Sequence, residues 1–138
     1  MGDAESAQVN VASKMGFKSG DIVQELGYDD DIDFDLRDDL EDIIDSELLT
    51  EEDHDVADAV ILWWRAEDGD LVDGLVDSQT TLDEGGPIWL LTPKAGRAGH
   101  VSPADIQEAA PTAGLHVTKT EGVSSEWAAT RLVARRKN

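Results

Sequence analysis

The chain has 138 residues and a net charge of −20, which arises from 31 acidic and 11 basic side chains. Such a charge repels phosphate and therefore disfavours nonspecific binding to nucleic acid or to an anionic membrane surface, and the absence of cysteine excludes a disulfide framework and thiolate chemistry. No apolar run approaches the roughly 18 residues of a membrane-spanning helix, so we expect a cytoplasmic protein.

The length predicts a single domain with one core. We expect an α/β domain over residues 14–134, a disordered N-terminal tail over residues 1–13 and a basic C-terminal tail over residues 135–138. Residues 1–84 carry 27 acidic and 4 basic side chains, whereas residues 85–138 carry 4 acidic and 7 basic ones. The acidic part promotes solubility or offers a docking face for a basic protein partner. Monomer and homodimer both remain open.

The first predicted elements are a short segment and an acidic helix. Residues 21–27 form either a short strand or a helical turn, and the sequence does not separate these alternatives. In residues 30–49 apolar side chains recur at steps of three and four, which predicts an amphipathic helix. Its predicted buried stripe consists of Ile32, Leu36, Leu40, Ile43, Ile44 and Leu48. The opposite, carboxylate face is a candidate partner surface that includes Asp38, Asp39 and Asp42.

Residues 57–64 predict the central strand. Their consecutive apolar residues, rich in β-branched and aromatic types, are too few for a comfortable helix and are typical of a strand that is covered on both faces. Side chains alternate along a strand, so the two layers should receive different residues. One layer is predicted to receive Val60, Leu62 and Trp64, and the other Ile61 and Trp63.

A helix and a second strand follow. Asp70 can cap a helix over residues 71–82, in which Gly74 permits close packing on the sheet. A Gly-Gly-Pro turn then opens a strand within residues 85–96, and Pro93, which cannot donate to a ladder, ends it. Strand, helix and strand in this order predict a parallel pair with a right-handed crossover.

The last third of the chain predicts a helix and a hairpin. Ser102 as a cap, followed by proline at the first helical position, marks the start of the helix. Pro111 should kink or shorten this helix at the preceding residue, and Gly114 should close it. Residues 116–120 and 130–134 are the two predicted strands of the hairpin.

Four of the seven aromatic residues are tryptophans. Trp63, Trp64 and Trp89 lie in predicted central strands, so we expect them to pack in the core. Trp127 lies in the long turn of the hairpin and is predicted to be partly exposed beside Arg131. These two residues are therefore the candidate anchor for a partner on the hairpin.

The loop after the second strand is the candidate ligand or anion site. Lys94, Arg97 and His100 follow the carboxyl end of a strand, where open α/β sheets bind ligands, and they precede a helix N-terminus, which favours anions. Gly96 and Gly99 would let backbone amides join them. Two other interpretations remain, namely an ordinary surface loop and ion pairing with the acidic helix.

Metal and hydrolase chemistry have little support. The carboxylates in residues 29–42 alternate as in a calcium loop, but Leu36 stands at the sixth position, where such a loop requires glycine. Zinc-ligand spacing is absent from the three histidines, His54, His100 and His116. Ser102 is better explained as a helix cap than as a nucleophile activated by His100. We therefore assign no catalytic residue, metal ligand or cofactor.

Three stretches resemble the C-terminal half of class I S-adenosylmethionine-dependent methyltransferases. They are DAVILWW, LVDGLVDSQTTLDEGGPIWLLTPK and DIQEAAPTAGLHVTKTEGVSSEW. The resemblance implies a small, mostly parallel Rossmann-like sheet with helices on both faces and a closing C-terminal hairpin. Residues from about 14 to 133 more specifically resemble a small actinobacterial family of unknown function, through the motifs ELGYDDD, ILWWR, IWLLTPKAGR and EAAPTAGL.

The glycine-rich loop of those methyltransferases is missing. Their cofactor sits on a loop of the form acid-x-G-x-G-x-G, in which absent side chains let the backbone approach the ligand. The segment ELGYDDDID retains only Gly27. This departure leans against an enzyme and favours a regulatory or accessory protein that binds a protein partner through the acidic helix or residues 94–100. The alternative is an adenosyl-, nucleotide- or phosphate-binding protein or enzyme that uses residues 94–100.

Overall fold

The computed structural model describes residues 15–134, so both predicted tails lie outside the described residues. Five strands form one sheet in the order β1-β2-β3-β5-β4. The strands are β1 (Val23–Leu26), β2 (Ala59–Trp63), β3 (Ile88–Pro93), β4 (Leu115–Gly122) and β5 (Trp127–Ala134). The first three are parallel to one another, whereas β5 runs antiparallel to β3 and forms a hairpin with β4. The predicted α/β sheet with a closing hairpin is confirmed.

In the described residues, three α-helices cover the sheet. They are α1 (Phe34–Ile44), α2 (Leu71–Asp77) and α3 (Pro103–Thr112), and a short 3₁₀ turn spans Ala66–Asp68. Side chains of α1 pack with one face of β2 and β3, and those of α2 and α3 pack with the other face. In the part of the chain that the structure describes, no helix is long and apolar enough to cross a membrane.

The central strand has the predicted alternation. Ile61 and Trp63 belong to the apolar cluster on the α1 side, and Val60 and Leu62 belong to the cluster on the α2 and α3 side. Trp64 packs against the second cluster, as expected, although it lies just beyond the end of β2. Both faces of β2 are therefore buried, and the parallel pairing of β2 with β3 is confirmed.

The acidic helix is shorter than the predicted 30–49. The Asp33 side chain accepts a hydrogen bond from the Leu36 backbone N–H and caps the helix, and Asp45 ends it with a left-handed φ of 63°. Ile32 and Leu48 are buried in the same cluster, but they belong to the chain before and after the helix. The apolar stripe thus identified the buried residues correctly except for Ile43, which is partly buried, and it overestimated the length of the helix.

The ambiguous segment 21–27 contains a strand. β1 pairs with β2 on one side, and on its other side Leu49 donates to Val23 and accepts from Glu25 at 2.9 and 2.8 Å, backbone to backbone. The backbone after α1 therefore covers the outer edge of β1, in a place where a further strand would otherwise pair.

The two later helices also differ in length from prediction. Asp70 caps α2 as expected, but this helix ends at Asp77 rather than near residue 82. A Cβ atom on Gly74 would lie 2.6 Å from the Trp64 ring, so this glycine packs closely against the residue that follows β2. Helix α3 continues through Pro111 to Thr112, so the predicted shortening at the preceding residue is wrong; the proline lacks only its own N–H donor, and the helix ends one residue later. Gly114 follows with a φ of 83°.

The hairpin is longer than predicted, and this overturns one expectation. Trp127 is the first residue of β5 and is 1% exposed, so the prediction of a partly exposed tryptophan there is wrong. Its ring packs edge-on against Trp63, with ring centroids 5.0 Å apart. In β4, which lies at the edge of the sheet, the pairing register shifts between Val117 and Lys119 as in a β-bulge.

Candidate functional site

The predicted ligand loop follows β3, as expected, but the side chains of Arg97 and His100 are engaged within the protein. Arg97 forms an ion pair with Glu126 of the hairpin turn, at 3.2 Å, rather than with the acidic helix. The Nδ1 atom of His100 lies 2.9 Å from the Pro93 carbonyl oxygen. The Lys94 backbone N–H donates to the Glu126 carbonyl at 2.9 Å. These contacts hold the loop against the hairpin, and ligand binding there stays a prediction.

The two glycines of this loop have different surroundings. Gly96 has a φ of +90°, and a Cβ atom there would meet nothing within 4 Å. A Cβ atom on Gly99 would lie 3.1 Å from the Arg65 side chain, and the Gly99 carbonyl accepts from the Ala66 backbone N–H at 2.9 Å. Gly99 therefore packs the loop against the segment that follows β2.

Arg65 lies in the crevice between the carboxyl ends of β1 and β2. Its side chain is only 8% exposed. Nη1 donates to the Gly27 carbonyl at 2.8 Å and to the Trp63 carbonyl at 3.3 Å. The guanidinium also lies over the Trp127 ring, 5.5 Å from its centroid. One buried cation thus joins two neighbouring strands and the start of the hairpin.

Two carboxylates balance the charge of Arg65. Asp31, from the segment before α1, accepts from Nε at 3.0 Å and also contacts Nη2, and Asp68 Oδ2 lies 3.3 Å from Nη1. The hydrogen bond from Arg65 lowers the pKa of Asp31, with desolvation acting in the opposite direction. The segment before α1 is therefore held to the end of β2 by ionic contacts.

Gly27 faces the same crevice. Its φ is +79°, and a Cβ atom would lie only 2.2 Å from the Trp63 carbonyl oxygen. The protein's own backbone therefore requires glycine at this position. Gly27 and Arg65 also line a cleft of about 480 Å³ on the α2 side, together with Tyr28, Trp64 and the carboxylates Asp29, Glu51, Asp68 and Asp77.

An exposed pair of aromatic rings precedes and begins α1. Tyr28 is 52% exposed and Phe34 is 43% exposed, and the two rings meet edge to face with centroids 5.9 Å apart. Asp35, Asp38 and Asp42 are exposed on the same helix. None of these three carboxylates has an ion-pair partner within residues 15–134. We call this set of five side chains the acidic aromatic surface.

The cation nearest this surface is already neutralised. Arg37 lies over the Tyr28 ring, 5.4 Å from its centroid. Its Nε atom lies 2.9 Å from both carboxylate oxygens of Glu25, and its Nη1 atom makes a weaker contact of 3.8 Å with Glu41. Glu25 is 4% exposed and also accepts from the Trp63 indole at 3.0 Å. Arg37 therefore does little to offset the exposed carboxylates.

Asp39 differs from its neighbours Asp38 and Asp42, with which the sequence grouped it. The residue is half-buried, and its Oδ2 atom is enclosed without a hydrogen-bond partner in the described part of the chain. Burial, and then repulsion from Asp42 and Asp35, raises the pKa of Asp39 above its usual value of 3.8. Folding therefore favours the protonated carboxyl, and at neutral pH the ionised group opposes folding.

We expect Asp39→Asn to stabilise the protein at pH 7, by at most about 1 kcal/mol because the side chain is only partly shielded from water. The gain should shrink as the pH falls through the raised pKa and vanish below the unfolded-state value, where both states are protonated. Urea unfolding at pH 7 and at about pH 3 measures it. Asp38→Asn is the matched control on the exposed face. A gain that is independent of pH would contradict this explanation.

The comparisons with known proteins identify the family. Residues 12–136 match the family model for proteins of unknown function DUF3052. The chain belongs to this family. It is 49% identical over 124 residues to the uncharacterised proteins Mb2263c of Mycobacterium bovis and Rv2239c of Mycobacterium tuberculosis H37Rv, an alignment that covers 90% of this chain and 78% of each relative. The resemblance to an actinobacterial family of unknown function is confirmed.

Solved methyltransferases share the fold of this DUF3052 chain. The CcbJ methyltransferase of Streptomyces caelestis matches with a TM-score of 0.61 and 11% identity, over 94% of this chain and 89% of the other. Magnesium protoporphyrin IX methyltransferase of Synechocystis, with bound S-adenosylmethionine, matches with a TM-score of 0.58 and 14% identity, over 94% and 77%. At such identities the likeness establishes the fold and leaves the activity unassigned.

The crevice does not fit the cofactor that this fold binds elsewhere. A cofactor at the end of β1 needs glycines whose backbone is free to approach it. Here the Trp63 carbonyl fills the Cβ side of Gly27, and Arg65 binds the Gly27 carbonyl. Within the described residues, no group of histidine or carboxylate side chains is arranged to hold a metal ion.

Sequence reasoning missed three residues of this region. Arg65 directly follows an apolar strand, which was the only signal that its charge needed a buried partner. Phe34 falls off the apolar stripe of the acidic helix, and this position could have identified it as exposed. Tyr28 gave no periodic signal at all.

Proposed function

We propose that this protein is a non-catalytic cytoplasmic binding module that engages a lysine- or arginine-rich segment of a partner protein through the acidic aromatic surface. The observation that carries the proposal is the exposure of Tyr28 and Phe34 among carboxylates that lack ion-pair partners within the described residues. Charge alone promotes solubility, whereas exposed aromatic rings in such surroundings are typical of a contact surface.

The charge of this surface selects the partner. Asp35, Asp38 and Asp42 lie on one exposed side of α1, and the nearby Arg37 is paired with Glu25. The cleft of about 480 Å³ that adjoins Tyr28 is also lined mainly by carboxylates among its charged groups. A basic segment would therefore associate faster than a neutral one, and added salt should weaken the complex.

The aromatic rings supply the contacts that charge cannot. A lysine or arginine side chain of the partner can stack on the ring of Phe34 or Tyr28 while its charge faces the carboxylates. Residues 94–100 are less suited to this role, since Arg97 is paired with Glu126 and Nδ1 of His100 contacts the Pro93 carbonyl. We therefore assign the partner contact to the acidic aromatic surface.

Selection of peptides from a displayed random library on the immobilised protein tests the proposal. We expect the selected peptides to be enriched in lysine and arginine, often beside an apolar residue. The affinity for the selected peptides should fall about tenfold or more in Phe34→Ala, as for truncation of an interface hot spot. A similar fall is expected in the double variant Asp38→Asn with Asp42→Asn.

The matched control is Asp73→Asn with Glu108→Gln. Both residues are exposed, on α2 and α3, and this variant removes the same charge from the opposite side of the sheet. It should leave affinity nearly unchanged. Selected peptides without excess positive charge, or equal weakening by the two double variants, would show that the surface does not bind as proposed.

A further inference from the structure

A second cleft opens at the opposite end of the parallel strands, where these strands begin. It has a volume of about 680 Å³ and lies between the segment before β1, the starts of β2 and β3, and the β4–β5 hairpin. Its charged lining residues are Lys18, Asp21, Asp58, Lys119 and Arg131. We call it the amino-edge cleft. It is distinct from the crevice that holds Arg65.

The amino-edge cleft concentrates positive charge in an acidic protein. Only seven basic side chains occur in residues 15–134, and three of them line this cleft. Arg131 donates to the Thr118 hydroxyl at 3.1 Å, and neither Arg131 nor Lys18 forms an ion pair within the described residues. Lys119 pairs with Glu121 at 3.1 Å, and Arg37, Arg65 and Arg97 each pair with a carboxylate.

The two carboxylates of the cleft are occupied by backbone donors. Asp21 accepts from the Lys18 backbone N–H at 3.0 Å, and Asp58 accepts from the Ile22 backbone N–H at 2.9 Å. These bonds shape the segment that leads into β1. Each carboxylate keeps its negative charge and further acceptor sites, so Asp21 and Asp58 offset part of the positive charge of the cleft.

A buried donor without an acceptor lies in the same wall. Trp89 pairs with Arg131 across the β3–β5 ladder, and its Nε1 atom has no hydrogen-bond partner in the described residues. Buried indole N–H groups are normally bonded. Trp63, on the neighbouring strand and the same face, does donate to Glu25 at 3.0 Å. Trp89 therefore supplies a buried donor without an acceptor, at the ladder position that pairs with Arg131, whose own guanidinium donates to Thr118.

We propose that the amino-edge cleft binds a small organic anion, a carboxylate or a phosphate ester, through Arg131 and Lys18. Guanidinium groups bind both anions through paired N–H donors. The apolar lining from Met15, Phe17, Pro87 and Trp89 suits a ligand that carries a ring or an aliphatic body. The enclosed Trp89 N–H, which lacks an acceptor among the described residues, belongs to the wall of this cleft.

Titration of the full chain with benzoate, phenyl phosphate, inorganic phosphate and neutral benzamide tests this proposal. Tryptophan fluorescence and the melting temperature are the two measurements, and sodium chloride at equal ionic strength corrects for general screening of a highly charged protein. We expect saturable binding of benzoate or phenyl phosphate and none of benzamide. Preference between the two anions distinguishes a carboxylate ligand from a phosphate ester, and binding of inorganic phosphate alone would overturn the requirement for an organic body.

Arg131→Gln should lower the affinity for the anion at least tenfold, and Lys18→Gln should lower this affinity to a smaller extent. Arg97→Gln is the matched control, because it removes the same charge at the carboxyl ends of the parallel strands. Equal affinities of the Arg131→Gln variant and the unmodified protein would overturn the proposal, as would a melting-temperature shift no larger than that of sodium chloride. These results do not depend on peptide binding at α1, so each proposal can fail separately.

Discussion

Replacing Arg37 by methionine is expected to lower the free energy of unfolding by roughly 3–5 kcal/mol. The substitution keeps the apolar stem and removes the guanidinium, whose Nε atom lies 2.9 Å from both oxygens of Glu25. Glu25 is 4% exposed, so its carboxylate would remain buried with the Trp63 indole as its main donor. Urea unfolding followed by tryptophan fluorescence measures the loss.

A double-mutant cycle separates this penalty from lost packing. Glu25→Gln removes the charge and retains an oxygen that can accept from the Trp63 indole. Combining it with Arg37→Met should therefore restore more than half of the stability that Arg37→Met alone removes. Strictly additive losses in the double variant would mean that the buried charge of Glu25 is not the cause.

Gly27→Ala is expected to destabilise the protein by roughly 2–5 kcal/mol, which combines a left-handed backbone cost with overpacking. The backbone φ is +79°, and the new Cβ atom would lie 2.2 Å from the Trp63 carbonyl oxygen. That oxygen belongs to the central strand and cannot rotate away as a side chain could. The crevice between β1 and β2 would therefore have to open.

Gly96→Ala is the control for the backbone term. Gly96 has a similar φ of +90°, with nothing within 4 Å of the added Cβ atom. Gly96→Ala should lower the free energy of unfolding by only about 1–2 kcal/mol. The difference between the two variants, measured by urea unfolding, reports the contact with Trp63. Equal losses at Gly27 and Gly96 would rule out close packing as the reason for glycine in the crevice.

The layers of this fold could be predicted because they depend on local patterns. The alternation in β2 assigned Val60 and Ile61 to opposite clusters, and the cap at Ser102 placed the start of α3. Helix ends were less predictable. Ile32 and Leu48 are buried beyond the ends of α1, so an apolar stripe continued where the helix had stopped.

The site was harder to predict because its contacts join distant parts of the chain. Arg65 meets Asp31 across 34 residues, and neither residue carries a local signal for the other. Trp127 was assigned to a turn, but the hairpin extends far enough to bury it against Trp63. Arg131 does lie beside a tryptophan, and the strand pairing shows that this tryptophan is Trp89.

The interrupted register of β4 has a consequence for how copies of this protein meet. An open sheet edge invites β-augmentation, in which a strand of another molecule completes the ladder. The shift between Val117 and Lys119 breaks the even spacing of donors and acceptors that an incoming strand would need, and the charge of Lys119 stands on this edge. Continuous edge-to-edge pairing of copies into fibres through β4 is therefore disfavoured.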